Sequence, residues 1–363
     1  EMVRDLLGKE IGEVIPSPAS TAYRNKMEYS FGDLSKGGEM TLGMHRIGRH
    51  HDVVSVPGCR LTHPDFELIR SAVLEYAKSS GFGLYQKSGD KSGFYRHLVV
   101  RRSEASGDLL IGLSAASDPR FDREGFCRML LALPLSGRIA GVVWIRNDGI
   151  ADVSAGAAEV LYGENRIVER ILGIAFSLSI GDFFQTNSLG AERLYRQALH
   201  RLDEVARISE RREPGLFLDL FCGTGTIGQI AAARFRNLRV IGVDIVESAI
   251  VSARENAKRN GIEAEFIAGD VFDVLNRQTF RPDFVVVDPP RAGIGFKAID
   301  RIAAFGIPAI LYISCNPVTL KQDLEQFEAQ GYETDRVDLC DMFPMTSGIE
   351  AICVLRRGSA DRV

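Results

Sequence analysis

From about residue 190 onward the chain repeats one pattern, in which a short apolar run gives way to a helix-like stretch and then to another apolar run. ERLYRQALHRLDEVARI reads as an amphipathic helix, and FLDLF, RVIGVDI, DFVVVDPP and AILYISCN read as strands buried on both faces, separated by helical segments. Strands without a polar face need cover on both sides, and alternation with helices supplies it through parallel crossovers. The expected fold class is therefore α/β, a doubly wound, Rossmann-like parallel sheet. Residues 20–150 follow another grammar. Short β-type runs (MEYSFG, HLVVRRS, LLIGLSAA, AGVVWIRND) alternate with Gly, Ser and Asp, and one stretch, DFELIRSAVLEYAKSSG, is helical. This predicts an α+β domain with an antiparallel sheet over residues 1–165 and the α/β domain over residues 166–363, with the boundary in LYGENRIVERILG.

With 363 residues, 45% of them hydrophobic, the chain can bury two cores. Its six cysteines, Cys59, Cys127, Cys222, Cys315, Cys340 and Cys353, lack CxxC spacing, and several lie in apolar runs. That argues against a disulfide scaffold and for a reducing, cytoplasmic setting. No run approaches the ~18 apolar residues of a membrane helix, and EMVRDLLGKEIGEV has no apolar signal core, so no membrane partner is expected. Because the chain begins at Glu1, N-terminal processing or truncation stays open.

A net charge of −4 gives no global attraction to nucleic acid, so any RNA binding must be local. Basic and aromatic residues interleave in the first third: Tyr23, Arg24 and Lys26; then His45, Arg46, Arg49, His50 and His51; then Lys87, Lys91, Tyr95, Arg96, His97, Arg101 and Arg102. Such a mixture suits phosphate contact and base stacking. It equally suits a solvated, strand-rich surface. Arg24, Lys26, Arg96 and Arg101 are the candidate RNA contacts.

Phe217 to Gly228, FLDLFCGTGTIG, carries an apolar strand into a glycine-rich turn (Gly223, Gly225, Gly228) and then into the helix-like IGQIAAARF. Glycines permit a tight turn and close approach to a ligand, and the helix start offers free N–H groups. The next strand ends in Asp244, placed to hydrogen-bond a ribose diol, and Asp270 follows a third apolar stretch, where adenine would lie. The turn holds no basic residue and no GK[ST], which disfavours a phosphate-rich ligand. S-adenosylmethionine is the expected cofactor, ahead of a nicotinamide or a nucleoside triphosphate. Downstream stand Cys315, in LYISCNPVTL, and Glu350, in DMFPMTSGIEAICVL. A thiolate can add to an electron-poor ring carbon, and a carboxylate can remove the proton that a new substituent displaces. Taken alone, Cys315 also reads as a buried strand-end thiol.

Taken in order, FFQTN, DLFCGTGTIG, GVD, DPPRAG, YISCNPVTL and MFPMTSGIE resemble the RNA 5-methyluridine methyltransferases, with AYRNK and FYRHLVVR extending the likeness over nearly the whole chain. The resemblance implies a uracil-C5 methyltransferase acting on tRNA or rRNA, with Cys315 adding to C6 and Glu350 removing the C5 proton. It carries over Gln185, Phe221, Thr226, Asp244 and Asp288 as cofactor or active-site contacts. The chain departs from the family pattern at Met345 and Gly348, where members often have histidines, and at Thr226, where some have Asn. Many members also carry an N-terminal oligonucleotide-binding TRAM domain, which is not found in this sequence. RNA grip is then expected from the first-third domain or from sequence missing upstream. Many hold a [4Fe–4S] cluster through three cysteines upstream of AYRNK and one after it. Cys59 resembles the fourth ligand, and one cysteine cannot hold a cluster, so a cluster is expected only in a longer chain. Two alternatives remain: an N-methyltransferase on the same fold, although Arg291 stands where those enzymes commonly place an aromatic, and a non-catalytic RNA-binding protein.

Overall fold

The four apolar runs form the centre of a nine-stranded sheet in a computed structural model that describes residues 2–35, 37–86, 92–235, 237–277 and 279–358. From one edge the strand order is Glu10–Ile15, Arg336–Cys340, Glu350–Arg357, Ala309–Ser314, Phe284–Val287, Gly215–Leu220, Leu238–Asp244 and Ala264–Ala268. The two-residue strand Tyr332–Glu333 pairs with Glu350–Arg357 as well. The five strands from Ala309–Ser314 to Ala264–Ala268 are mutually parallel. Their central residues, such as Leu218, Val243, Val285 and Ile310, are fully buried, as continuous apolar runs require. Each such side chain contributes roughly 1.5–3 kcal/mol over its exposed state, which fixes the register of the strand ends.

Glu350–Arg357 runs antiparallel between Ala309–Ser314 and Arg336–Cys340, a departure from the expected all-parallel sheet. Ser314 pairs with Ala351, so the residue after one strand's last and the residue starting the other meet at one edge. That edge is also where Gly215–Leu220, Leu238–Asp244 and Phe284–Val287 end, the side on which open α/β sheets place ligands.

Helix boundaries follow local chemistry. Asn187 caps Ser188–Ala206 by accepting the Gly190 N–H at 2.9 Å. Asn316 caps Pro317–Ala329 by accepting the Val318 N–H at 3.1 Å, with Pro317 at the first helical position, where its missing N–H costs nothing.

Among the described residues, one unit comprises residues 2–20, 170–176 and 183–358, and the other residues 21–169 and 177–182. The chain passes from one unit to the other after residue 20 and back after residue 169. Residues 2–20, expected in the first domain, group instead with the C-terminal unit. The reason is backbone pairing: Glu10–Ile15 completes the edge of the large sheet by lying parallel to Arg336–Cys340. Its largely exposed side chains carry no periodic signal of that partner.

The second unit is a seven-stranded sheet in the order Met40–Arg46, Arg49–Val54, Lys26–Asp33, Tyr95–Arg102, Leu109–Ala115, Ile139–Arg146, Ala157–Gly163. It is mainly antiparallel, as expected, but Leu109–Ala115 and Ile139–Arg146 are parallel. A parallel neighbour needs a crossover, and a second helix, Arg123–Leu131, capped by Asp122, lies in that connection besides the expected one at Pro64–Ser79. Trp144 is buried here against Phe121. Lys87 and Lys91 lie outside the described residues. No helix among the described residues is long and apolar enough to cross a membrane.

Candidate active site

The glycine turn is built by steric necessity. Gly225 has φ +72°, and a Cβ there would lie 2.6 Å from the Phe266 ring. A Cβ at Gly228 would lie 2.7 Å from Val240 Cγ1, so only glycine lets this helix pack so closely on the sheet. Phe221, just past the strand end, takes φ +63°, a strained conformation for a side chain of its size. The Gly223 N–H donates to Asp244 Oδ2 at 2.9 Å and the Val246 N–H to Asp244 Oδ1 at 2.8 Å. Each carboxylate oxygen retains acceptor capacity for a hydroxyl. Gly225 supplies no capping side chain to the helix Thr226–Arg234, and the space beside Gly223 is open. The Thr226 hydroxyl is 3.1 Å from that of Thr224. Asp270 is exposed and accepts the Asp273 N–H at 3.2 Å at the next helix start.

Asp219, which opens DLFCGTGTIG, is not among the residues that the sequence marks as candidate contacts. Fully buried, it accepts the Gly228 N–H through Oδ2 at 2.8 Å, while Oδ1 has no hydrogen-bond partner. A lone carboxylate inside the apolar run FLDLF is the signal that could have found it. An open turn, an uncapped helix start, an orphaned buried acceptor and Asp244 together fit the cationic and diol groups of S-adenosylmethionine.

Burial first, then Asp288 and Asp244, push the Asp219 carboxyl up to about 8. An unfolded Asp ionises near pH ~4. Stability linked to the neutral carboxyl is therefore full below that pH and is lost as pH rises toward 8. Asp219→Asn keeps an acceptor for Gly228 and removes the loss. Without cofactor, its melting temperature should exceed that of the wild type by several degrees at pH 8 and by much less near pH 4.5. A difference that does not widen with pH refutes the assignment.

At the opposite side of the turn, two sequence motifs are tied together. Asn316 Nδ2 and Thr319 Oγ1, from SCNPVTL, both donate to the Arg291 carbonyl of DPPRAG, at 2.9 and 3.2 Å. Asp323 accepts the Tyr312 hydroxyl at 2.5 Å and the Ile294 N–H at 2.9 Å, which anchors the other end of that loop. Cys315 thus stands half-buried between a buried strand and a pinned loop.

Glu350, 3% exposed, begins the neighbouring antiparallel strand. Burial, then Asp288, push its carboxyl up to about 8, with Arg291 opposing. Asp288 is pushed up to about 7 by burial. Burial, then Glu350 and Asp288, raise the Cys315 thiol, whereas the charge of Arg291 lowers it. Tyr195, on the helix Ser188–Ala206, is raised far above its ordinary value by burial and then by Asp288 and Glu350, with Gln185 opposing. Cys315, Glu350, Asp288 and Gln185 are therefore gathered at one edge. Arg291, Tyr195 and Asp219 join them. In the sequence Arg291 stands out only as a missing aromatic. A thiol and carboxyls crowded beside one guanidinium can form a nucleophile and take up a proton.

Of the two departures from the histidine pattern, only Gly348 has a structural explanation. Met345 is 66% exposed at φ +65°. A Cβ at Gly348 would lie 2.8 Å from Phe343 Cδ2, so a histidine there needs that ring to move.

The candidate RNA contacts divide. Arg24 and Lys26 are half-exposed. Burial and then Arg101 lower the Lys26 ammonium to about 8. Arg96 and Arg101 are drawn inward, a correction to their reading as phosphate contacts. Arg96 donates to the carbonyls of Ala151 and Gly149 and stacks 3.6 Å over the Tyr85 ring. Arg101, 1% exposed, donates to the Asp182 carbonyl, and burial lowers it to about 10. Within a strand, alternation cannot reveal that a cation has internal acceptors. Cys59 is half-buried, and no cluster of three or more His, Cys, Asp or Glu among the described residues could hold a metal. The residues present do not fit an iron–sulfur cluster.

Known proteins are similar to this chain in sequence and in fold. A family model described as tRNA (uracil-5-)-methyltransferase matches residues 271–358, and a methyltransferase-domain model matches residues 215–303. An uncharacterized RNA methyltransferase of Clostridium acetobutylicum is 40% identical over 352 residues, covering 96% of this chain and 75% of the relative. A second, from Lactobacillus johnsonii, is 32% identical, covering 97% and 76%. The crystal structure of Pyrococcus abyssi tRNA (uracil-54, C5)-methyltransferase in complex with S-adenosyl-L-homocysteine superposes with a TM-score of 0.78 at 26% identity, covering 98% of this chain and 81% of that one.

Proposed function

Since this chain belongs to the RNA (uracil-5-)-methyltransferase family and is an S-adenosylmethionine-dependent RNA methyltransferase, we propose that it forms 5-methyluridine in tRNA or rRNA through a covalent bond between Cys315 and C6 of the base. The observation that carries this reading is the meeting of a thiol and a buried carboxyl at the facing ends of two paired strands, Ala309–Ser314 and Glu350–Arg357. When bound, S-adenosylmethionine supplies an electrophilic methyl group. Gly223, Thr226, Asp244, Phe221 and Gln185 are the proposed residues that hold it, with Asp270 toward the adenine and Asp288 toward the reacting groups.

Cys315 ionises, its proton passing to solvent, and the thiolate pair forms the S–C6 bond while the C5=C6 pair moves onto C5. After C5 is methylated, the Glu350 carboxylate takes the C5 proton. The C–H pair restores C5=C6 and expels the Cys315 sulfur as thiolate. Both faces of the ring must be reached, so the uridine is flipped from its stack. Arg24 and Lys26 are proposed RNA contacts. Arg96 and Arg101, being buried, are proposed only to shape the surface. An N-methyltransferase would leave Cys315 without a task, which disfavours that alternative.

A [4Fe–4S] cluster is proposed only for a longer chain that brings three further thiolates to Cys59, and the visible spectrum of such a chain prepared without oxygen decides it. The function is tested by incubating the protein with S-adenosylmethionine and tRNA or rRNA transcripts and then mapping 5-methyluridine. Product in one transcript class identifies the substrate. Methylation only at an amino group refutes the proposal.

A further inference from the structure

Independently of the covalent mechanism, and resting only on this chain's being an RNA methyltransferase, we propose that the hairpin of Met40–Arg46 and Arg49–Val54 is an RNA contact: Ile47 packs against an unstacked base while Arg46 and Arg49 grip the phosphates beside it. The base of the hairpin is fastened from several sides. Thr41 Oγ1 donates to the carbonyls of Gly32 and Val53 at 3.1 and 2.9 Å, and Arg70, buried on the helix Pro64–Ser79, donates to the Leu42 carbonyl at 2.9 Å. His45 Nε2 lies 3.0 Å from Ser30 Oγ on the strand Lys26–Asp33. Ser30 Oγ is in turn 3.3 Å from His97 Nδ1, and His97 Nε2 is 3.0 Å from Asp152 Oδ1. A row of polar groups thus ties the hairpin to the middle of its sheet. Beyond that row the chain is uncovered, and residues 44–49 are all exposed.

The composition of the exposed tip suits a partner that is both anionic and partly apolar. Arg46 and Arg49, the last residue of one strand and the first of the next, are direct cross-strand partners. Like charges placed opposite each other across a ladder are destabilising. Asp52 Oδ2 lies 4.0 Å from Arg46 Nη1 and 3.7 Å from Arg49 Nη1, one carboxylate for two guanidiniums. Both arginine side chains remain more than half exposed, with N–H donors to spare. A phosphate beside them restores the balance, a local attraction in a chain whose net charge is −4. Between the two stand Ile47 and Gly48. Gly48 takes φ +75°, which favours glycine, but nothing in the turn requires an aliphatic residue before it. Ile47 is 100% exposed, and Met44 is exposed as well. A lone exposed aliphatic residue is ordinary on a surface. One at the summit of a pinned projection, flanked by two guanidiniums, matches the pairing of apolar wedge and phosphate grip found at unstacked steps of nucleic acids. An anionic lipid surface would share the charge, but it calls for a broad apolar face rather than one side chain.

The test is equilibrium binding of the full chain, over a range of salt, to a pool of tRNA and rRNA stem-loops and to a blunt RNA duplex without unpaired bases. Wild type, Ile47→Ser, Ile47→Leu and the double variant Arg46→Gln/Arg49→Gln are compared. Ile47→Ser should weaken binding to the looped RNAs about tenfold while leaving duplex binding and the salt slope unchanged, because only contact with an unstacked base is lost. Ile47→Leu should bind as the wild type does. The double variant should bind both kinds of RNA more weakly and lower the slope of log K against log[salt] by about 1–2. All variants should melt at the wild-type temperature, since no buried packing is removed. Unchanged affinity for looped RNA in Ile47→Ser overturns the proposal, as does an unchanged salt slope in the double variant. Hairpin-dependent binding to phosphatidylserine vesicles with unchanged RNA affinity assigns the tip to a lipid surface and overturns it too. If the wild type makes no 5-methyluridine yet the variants lose RNA binding as expected, the functional reading fails and the hairpin's role stands.

Discussion

Replacing Cys315 by alanine is expected to abolish methyl transfer, with a fall in turnover on the order of 10⁴-fold or more, because no other group can supply the bond to C6. Cofactor binding should survive nearly unchanged. The proposed cofactor contacts lie on other elements, at the ends of Gly215–Leu220 and Leu238–Asp244, and the side chain removed is small and half-buried. Calorimetric titration with S-adenosylhomocysteine separates the two effects. RNA containing 5-fluorouridine should trap the wild type in a gel-stable adduct, since fluorine cannot leave as a proton, and should leave the alanine variant free. Retention of full methylation by Cys315→Ala ends the covalent mechanism.

Glu350→Gln divides the reaction at its second half. Addition and methylation need only the thiolate and the cofactor, whereas release needs a base at C5. The variant should therefore accumulate a methylated protein–RNA adduct that survives denaturing gels, with multiple turnover reduced by about 10²–10⁴-fold. The pH dependence follows from burial, which with Asp288 pushes the Glu350 carboxyl up to about 8. A base acts deprotonated, so the wild-type elimination rate should climb as pH rises toward 8 and then level. In single-turnover assays the Gln variant should lose that rise. Normal turnover by Glu350→Gln would assign proton removal to another group.

Much of the site is legible in the sequence. Cys315 with Asn316 and Pro317, the Gly223–Gly228 turn and Asp244 are signalled locally, because a tight turn restricts residue type and a strand end next to a helix start is marked by its own neighbours. The parallel centre of the sheet is equally legible, since an apolar run buried on both faces has no other stable place. Features made by contacts distant in sequence are hidden instead. Glu10–Ile15 finds its partner more than three hundred residues later through backbone groups, which carry no side-chain code. The reversal of Glu350–Arg357 is likewise a matter of pairing, and it alone brings Glu350 to the edge where Cys315 waits.

Charge shows the same division. By sequence Arg96 and Arg101 count among exposed cations, but carbonyls from Gly149, Ala151 and Asp182 make their burial tolerable. Asp219, in the apolar run FLDLF, is a buried acid with an open oxygen. Sequence by itself determined which residue types could do the chemistry and which runs would be strands. Tertiary structure decided which of those residues meet and in what state of protonation, because desolvation and the field of neighbouring charges exist only once the chain has closed around them.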